Sequence, residues 1–351
     1  MSIGLCMGEF CPLHQGHLDL IMRAKKENDR CVVVLLNYGN PDARLPFARR
    51  AQLIREFFMN DRQVQVVAVP NVILGSAHSP SVDQWRAVFA EIRHLSDSPS
   101  APFAVYVANP GYVEPLRQLG ENVILVSKEQ PLKSADIRRN PLRYWPHIAS
   151  TFHPYLTRNI LVVGTASEGK TTLVNDIAKY YNLPTAVEWG RVYMEQHGLR
   201  DPELTVDDFV EFIVGQLRLC QKAIREATNG IMLSDTDNLI TLMYAKAYAE
   251  DDQMPLSMAD YNEVLYPLAL SLKDQIHWDR IFVMEPGGAY VDDGFRYMGQ
   301  SSMDERMSNH RKLLSLMHEF GFADRLEFLK GGAYLDNFLT VKKYIHGLLS
   351  E

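Results

Sequence analysis

The stretch GTASEGKTT, Gly164–Thr172, decides how this chain is read. Gly164, Gly169, Lys170 and Thr171 fit the spacing G-x-x-x-x-G-K-[ST]. The apolar run ILVV precedes them, and Leu173, Val174, Ile177, Ala178 and Tyr181 follow at helical spacing. Strand, glycine-rich turn and amphipathic helix in that order make a phosphate cradle. Glycines let backbone N–H groups point inward, Lys170 reaches the β and γ oxygens of ATP, and the Thr171 hydroxyl holds Mg²⁺. Ser167, Glu168 and Thr172 are expected to line the same ATP site.

Binding a triphosphate does not name the acceptor, which must be met at the ends of neighbouring strands. Apolar runs at Thr185–Val187, Gly230–Leu233, Arg280–Met284 and Leu326–Leu329 read as those strands. After the first comes EWGR, with Glu188 and Arg191 in one helical turn, and after the second comes DTD, with Asp235 and Asp237. A carboxylate beside an acceptor hydroxyl takes its proton, and another holds the metal or sugar hydroxyls. The plainer alternative is carboxylates favoured by helix N-termini. YVDDGFR, Tyr290–Arg296, reads as a lid in which Arg296 either closes on transferring phosphates or pairs with Asp292 or Asp293 in solvent.

Toward the N-terminus the strand pattern repeats: Ile3–Met7, Arg30–Leu36, Val64–Val69, Phe103–Val107 and Val123–Val126, with helical stretches such as Phe47–Phe58 and Val82–Ile92 between them. The alternation predicts two doubly wound parallel-sheet α/β domains, over residues 1–150 and 157–351, with the boundary between Pro146 and Arg158. The first strand runs into GEFCPLHQGH, where His14 and His17 flank Gly16 at a helix start. Helix N–H groups attract phosphate there, two imidazoles add donors, and Gly8 and Gly16 permit close backbone approach. A metal at the two histidines lacks a third ligand at a recognisable spacing.

SADIRRNPLRYW, from Ser134, begins with a residue able to cap its helix, and Arg138 either reaches an ATP phosphate or lies on a solvated basic face. Trp85 either stacks on a base or packs in the core. With 46% hydrophobic and 23% charged residues the chain is expected to fold throughout, and its formal charge of -7 disfavours a mainly nucleic-acid-binding role. Four cysteines without C-x-x-C spacing, and apolar runs well short of the ~20 residues that span a bilayer, fit a reducing cytoplasm and no membrane.

Taken in order, GEFCPLHQGH, SADIRRNPLRYW, GTASEGKTTL, EWGR and DTD resemble the NadR-type bifunctional family, which joins nicotinamide mononucleotide adenylyltransferase to ribosylnicotinamide kinase. The resemblance covers nearly the whole chain. It implies a Rossmann-like nucleotidyltransferase domain of the H-x-G-H type, then a P-loop nucleoside kinase domain. The kinase would phosphorylate nicotinamide riboside, and the resulting mononucleotide (NMN) would attack the α-phosphate of a second ATP to give NAD and pyrophosphate. His14 and His17 would polarise ATP phosphates, with the backbone of Gly8, Glu9 and Phe10 nearby and Arg138 completing the grip. Lys170 and Thr171 would serve the kinase. Glu188 would be the base and Asp235 the Mg²⁺ ligand or alternative base, with Asp237 and Arg191 on the ribose. Leu132 and Lys133 depart from the Ser or Thr often found before the arginine patch, and YVANPGY lacks the acidic Ser-Glu pair of the family.

The competing expectations are a kinase with a degenerate first domain and a nucleotide-sensing regulator. A strand beginning at about Ile3 leaves no room for the helix-turn-helix some members carry, so DNA repression is not expected. Assembly into a homo-oligomer is left open.

Overall fold

The computed structural model describes residues 2–39, 44–74, 80–97, 101–126, 132–287 and 302–350. The chain divides into two compact units, Met1–Leu156 and Thr157–Glu351.

In the first unit the described elements run β1 (Ile3–Gly8), α1 (Gln15–Glu27), β2 (Arg30–Asn37), α2 (Phe47–Phe57), β3 (Val64–Ile73), α3 (Val82–Leu95), β4 (Phe103–Val107), α4 (Val113–Gln118), β5 (Asn122–Leu125), α5 (Ser134–Arg139) and α6 (His153–Leu156). The strands form one parallel sheet of order β3-β2-β1-β4-β5, in the register Gly4↔Cys31 and Gly4↔Ala104 at its centre. Alternate side chains of β1 and β2 enter opposite cores. Cys6, Val33 and Leu35 pack with Ile21 of α1, Ile54 of α2 and Ile137 of α5, whereas Leu5, Val32 and Val34 pack with Val88 and Ile92 of α3 and Leu116 of α4. Burial on both faces is why these strands read as unbroken apolar runs.

The second unit continues with β6 (Arg158–Gly164), α7 (Lys170–Tyr181), β7 (Thr185–Ala186), α8 (Trp189–His197), α9 (Val206–Glu226), β8 (Ile231–Ser234), α10 (Asn238–Ala249), α11 (Tyr266–Leu272), β9 (Arg280–Met284), α12 (Met303–Glu319), β10 (Leu326–Leu329) and α13 (Tyr334–Ser350). Its sheet is also parallel, in the order β10-β9-β6-β8-β7. Leu161 and Val163 of β6, Met232 of β8 and Val283 of β9 pack with α9, α10 and α12 in one large core. On the other face Phe282 meets Tyr344 of α13, which packs along α7. Truncating a buried leucine such as Leu161 would cost about 2–5 kcal/mol.

In both sheets the strand that leads into one of the two glycine-bearing motifs is the central one, and later strands are laid down on both sides of it, so the strand order reverses there. A crevice opens at such a reversal, beyond the carboxyl ends of the strands. No helix of the described residues is long and apolar enough to cross a membrane.

Candidate active sites

At the end of β1 the chain leaves Gly8 through Glu9 and Phe10. Phe10 is in the left-handed region at φ 47°, and its ring folds back so that a Cβ on Gly8 would lie 2.9 Å from it. Only glycine fits there without displacing the ring. Phe10 meets His17 edge-on at 4.9 Å between centroids, and His17 stacks on His14 at 3.7 Å. His14 is 1% exposed, and its Nε2 lies 3.1 Å from the Ser134 hydroxyl. Arg138, one turn further along α5, donates to the carbonyl of Cys11 at 2.5 Å. The loop and the arginine patch, far apart in sequence, thus build one site.

Ser134 departs from its expected part. Lys133 is the N-cap residue of α5 and Ser134 is the first residue of the helix, its hydroxyl engaged by His14. Arg50 of α2 was not singled out by the sequence reading. It is 1% exposed, donates to the Glu9 carbonyl at 2.8 Å and lies 3.6 Å from the Glu9 carboxylate, fixing the strand exit. Trp85 corrects its expected base-stacking role: it is fully buried in the core and meets Tyr112 edge-on, leaving no ring face for a base. Gly16 lies in the first turn of α1, whose N-cap residue His14 makes no side-chain cap. The His17 N–H donates to the His14 carbonyl at 2.8 Å, which starts the helix without a side-chain cap.

In the second unit β6 ends at Gly164, and the loop closes onto α7 through Gly169, at φ 84°. An L side chain there would be strained, and the helix again starts with no side-chain cap. Ser167, at φ 62°, completes the turn. Lys170 is largely buried with its Nζ donating to the Thr165 carbonyl at 2.7 Å, which holds the ammonium inside the loop. The Thr171 hydroxyl donates to Asp235 Oδ2 at 2.5 Å. Thr172 is exposed on the first turn of α7.

The two acceptor-side carboxylates are placed by one strand pair. Ala186 pairs with Ser234, and the Asp235 N–H donates to the Ala186 carbonyl at 3.0 Å, so Glu188 and Asp235 leave adjacent strand ends. Glu188 is the N-cap residue of α8. Gln216 of α9, 2% exposed and not foreseen, accepts from the Trp189 N–H at 2.8 Å and reaches toward the Thr236 carbonyl, bracing both exits together. Arg191 is exposed on α8 and pairs with Glu195 at 3.1 Å.

Asp237 corrects the ribose-binding expectation. Its carboxylate caps α10 by accepting from the Leu239 N–H at 2.9 Å and bonds to the indole of Trp278, and burial pushes its pKa up to about 6. A group so enclosed serves the fold. The Glu168 side chain likewise does not line a nucleotide site, because it is buried against Arg306 of α12. The expected lid, with Arg296, lies outside the described residues.

The described residues contain no cluster of three or more His, Cys, Asp or Glu that could hold a metal. Thr171 and Asp235 bring two oxygens together at the loop, a donor type that fits Mg²⁺, an ion that keeps several waters.

Residues 5–80 match a cytidylyltransferase-like family and residues 159–327 an AAA-domain family. The chain is 26% identical, over its full length and 84% of the relative's, to the trifunctional NAD biosynthesis/regulator protein NadR of Salmonella typhimurium, and equally so to that of Escherichia coli. A phosphopantetheine adenylyltransferase of Rubrobacter xylanophilus is 33% identical over 28% of this chain and 57% of its own. Among solved structures, NadR in complex with NR superposes with a TM-score of 0.82 at 29% identity, covering 98% of this chain and 96% of that one. NadR with NAD and AMP-PNP gives 0.82 at 27%, covering 100% and 96%.

Proposed function

We propose, on the premise that this chain is homologous to NadR over its whole length, that it makes NAD from nicotinamide riboside in two ATP-dependent steps, one at each cradle. The reading is carried by one observation: each of the two phosphate loops leaves the central strand of its own sheet, and each meets its polar partners there.

In the second unit Lys170 and the first-turn N–H groups of α7 bind the β and γ oxygens of ATP. Thr171 and Asp235 would hold Mg²⁺, which when bound would supply positive charge against the transferring phosphates. With Asp235 drawn to Thr171, Glu188 is the carboxylate left for the riboside hydroxyl, whose proton it takes as the oxygen attacks the γ-phosphorus. Arg191 stands in the first turn of the same helix for the ribose. The products are NMN and ADP.

In the first unit the phosphate of NMN attacks the α-phosphorus of a second ATP, forming the P–O–P link of NAD and expelling pyrophosphate. His14, His17 and Arg138 place donors around the polyphosphate, and the uncapped start of α1 adds its N–H groups. No covalent enzyme intermediate is needed, so positioning and charge stabilisation supply the rate.

The test is incubation with nicotinamide riboside, ATP and Mg²⁺, with chromatographic separation of products. Wild type is expected to give NAD, Lys170→Ala to leave the riboside unreacted, and His17→Ala to accumulate NMN. NMN as the end product of the wild type would remove the adenylyltransferase half, and no product at all would remove the enzyme reading.

A further inference from the structure

The phosphate loop of the second unit encloses a charge that the phosphoryl-transfer scheme does not use. Glu168 precedes Gly169, and its side chain is fully buried. Its Oε1 accepts from the Thr165 hydroxyl at 3.2 Å and from Arg306 Nη2, and its Oε2 accepts from the Gly287 N–H at 3.2 Å. One carboxylate therefore ties together the loop, the chain leaving β9 and the first turn of α12.

A carboxylate is an adverse group to enclose in a loop that must accept a polyphosphate, since both are anionic. The guanidinium of Arg306 is itself only 3% exposed and faces it directly. His310, one turn further along α12, is also near Glu168, but burial lowers its pKa and favours the neutral ring. Arg306 is thus the cation that α12 brings to Glu168. A buried ion pair with one member removed leaves an uncompensated charge, which is far more damaging than removing both.

We infer that Arg306 is a positioning residue of the kinase site: it neutralises Glu168, so that this carboxylate can brace the loop against α12 without repelling the nucleotide. The inference rests on the loop being a nucleotide site, as proposed above, but not on the identity of the acceptor.

The test measures Mg·ADP binding to the full chain by calorimetry, taking the site lost in Lys170→Ala as that of the loop. Arg306→Met is expected to weaken binding about tenfold or more, and Glu168→Gln to change it less than about threefold. The double variant should return to within about threefold of wild type. Adenylylation of supplied NMN, measured in every variant, reports that the other half is intact.

A double variant as weak as Arg306→Met, or an Arg306→Met that binds normally, would overturn the inference, because the arginine would then act independently of Glu168. Should Arg306→Met lose the thermal transition of the second unit, the same comparison is made with Arg306→Ala at reduced temperature and with Glu168→Gln in that background, where recovery of folding and binding together supports charge compensation and its absence refutes it. A wild type that binds Mg·ADP at the Lys170-dependent site yet leaves riboside untouched defeats the proposed reaction alone and leaves this inference standing.

Discussion

Replacing Asp237 by asparagine should make the protein more stable at neutral pH and leave it nearly unchanged in acid. Asp237 is 7% exposed and caps α10, and burial raises its pKa from 3.8 to about 6 against the opposing bonds from Leu239, Trp278 and Ile240. The folded state therefore holds a proton that the unfolded chain has released anywhere between those two values. Where the folded state binds more protons, unfolding free energy falls as pH rises, so the favourable contribution is complete below about pH 4 and gone above about pH 6. A shift of roughly two units corresponds to about 3 kcal/mol. Asparagine keeps a cap oxygen for the Leu239 N–H and carries no charge to desolvate. Calorimetric unfolding of wild type and Asp237→Asn from pH 4 to 7, with the second unit's transition identified by its shift with Mg·ADP, measures the difference. The variant should gain on wild type by about 3 kcal/mol between about pH 4 and 6 and hold that lead level from there to pH 7. A difference that does not change with pH would show that Asp237 is already ionised in the folded state at pH 4, and the argument from burial would be wrong.

Other substitutions separate the parts assigned to neighbouring groups. Glu188→Gln should lower kcat for riboside phosphorylation by about a hundredfold or more with Mg·ADP affinity kept, whereas Asp235→Asn should weaken both; the opposite pattern would exchange their roles. Gln216→Leu removes the acceptor of the half-buried Trp189 backbone N–H and should cost about 1 kcal/mol or more of stability, seen by urea unfolding, together with a fall in kcat. Ser134→Ala deletes the partner of His14 Nε2 and should slow NMN adenylylation about three- to tenfold while riboside phosphorylation, assayed in the same tube, is unchanged. Arg50→Met leaves the Glu9 carbonyl without its donor and the Glu9 carboxylate without its facing cation, and a loss of about 3 kcal/mol in the first unit's thermal transition is expected.

The strands were legible because parallel strands announce themselves as short apolar runs: interior β4 and β9, and even the edge strand β10, begin and end where the sequence places them. The loops that follow β1 and β6 were legible as loops for a related reason: their glycines, lysine and histidines lie within a few residues of one another, so spacing carries the geometry. What the sequence does not display is which distant side chain meets a local motif. Ser134 finds His14 across 120 residues and Arg306 finds Glu168 across 138, and neither pairing leaves a periodic trace. Asp237 and Trp85 were misread by the same limit. A carboxylate two residues from Asp235 looks equally able to serve the site until its burial and its cap are seen, and an aromatic residue on an amphipathic helix looks alike whether its ring faces ligand or core.

The strand orders also set a timetable for synthesis. β1 gains its second neighbour once residue 107 has emerged, and every strand of the first sheet precedes Leu156, so that unit can close while the rest of the chain is still being made. β6 emerges near the start of the second unit but waits for β9, ending at Met284, before it is flanked on both sides. β8 is complete at Ser234, 50 residues before β9 ends, so at about 5–20 residues per second this strand and its loop stand half-paired for roughly 2.5–10 seconds. Its apolar flank is then open to any other chain, which makes the nascent second unit, rather than the finished one, the form most in need of a chaperone.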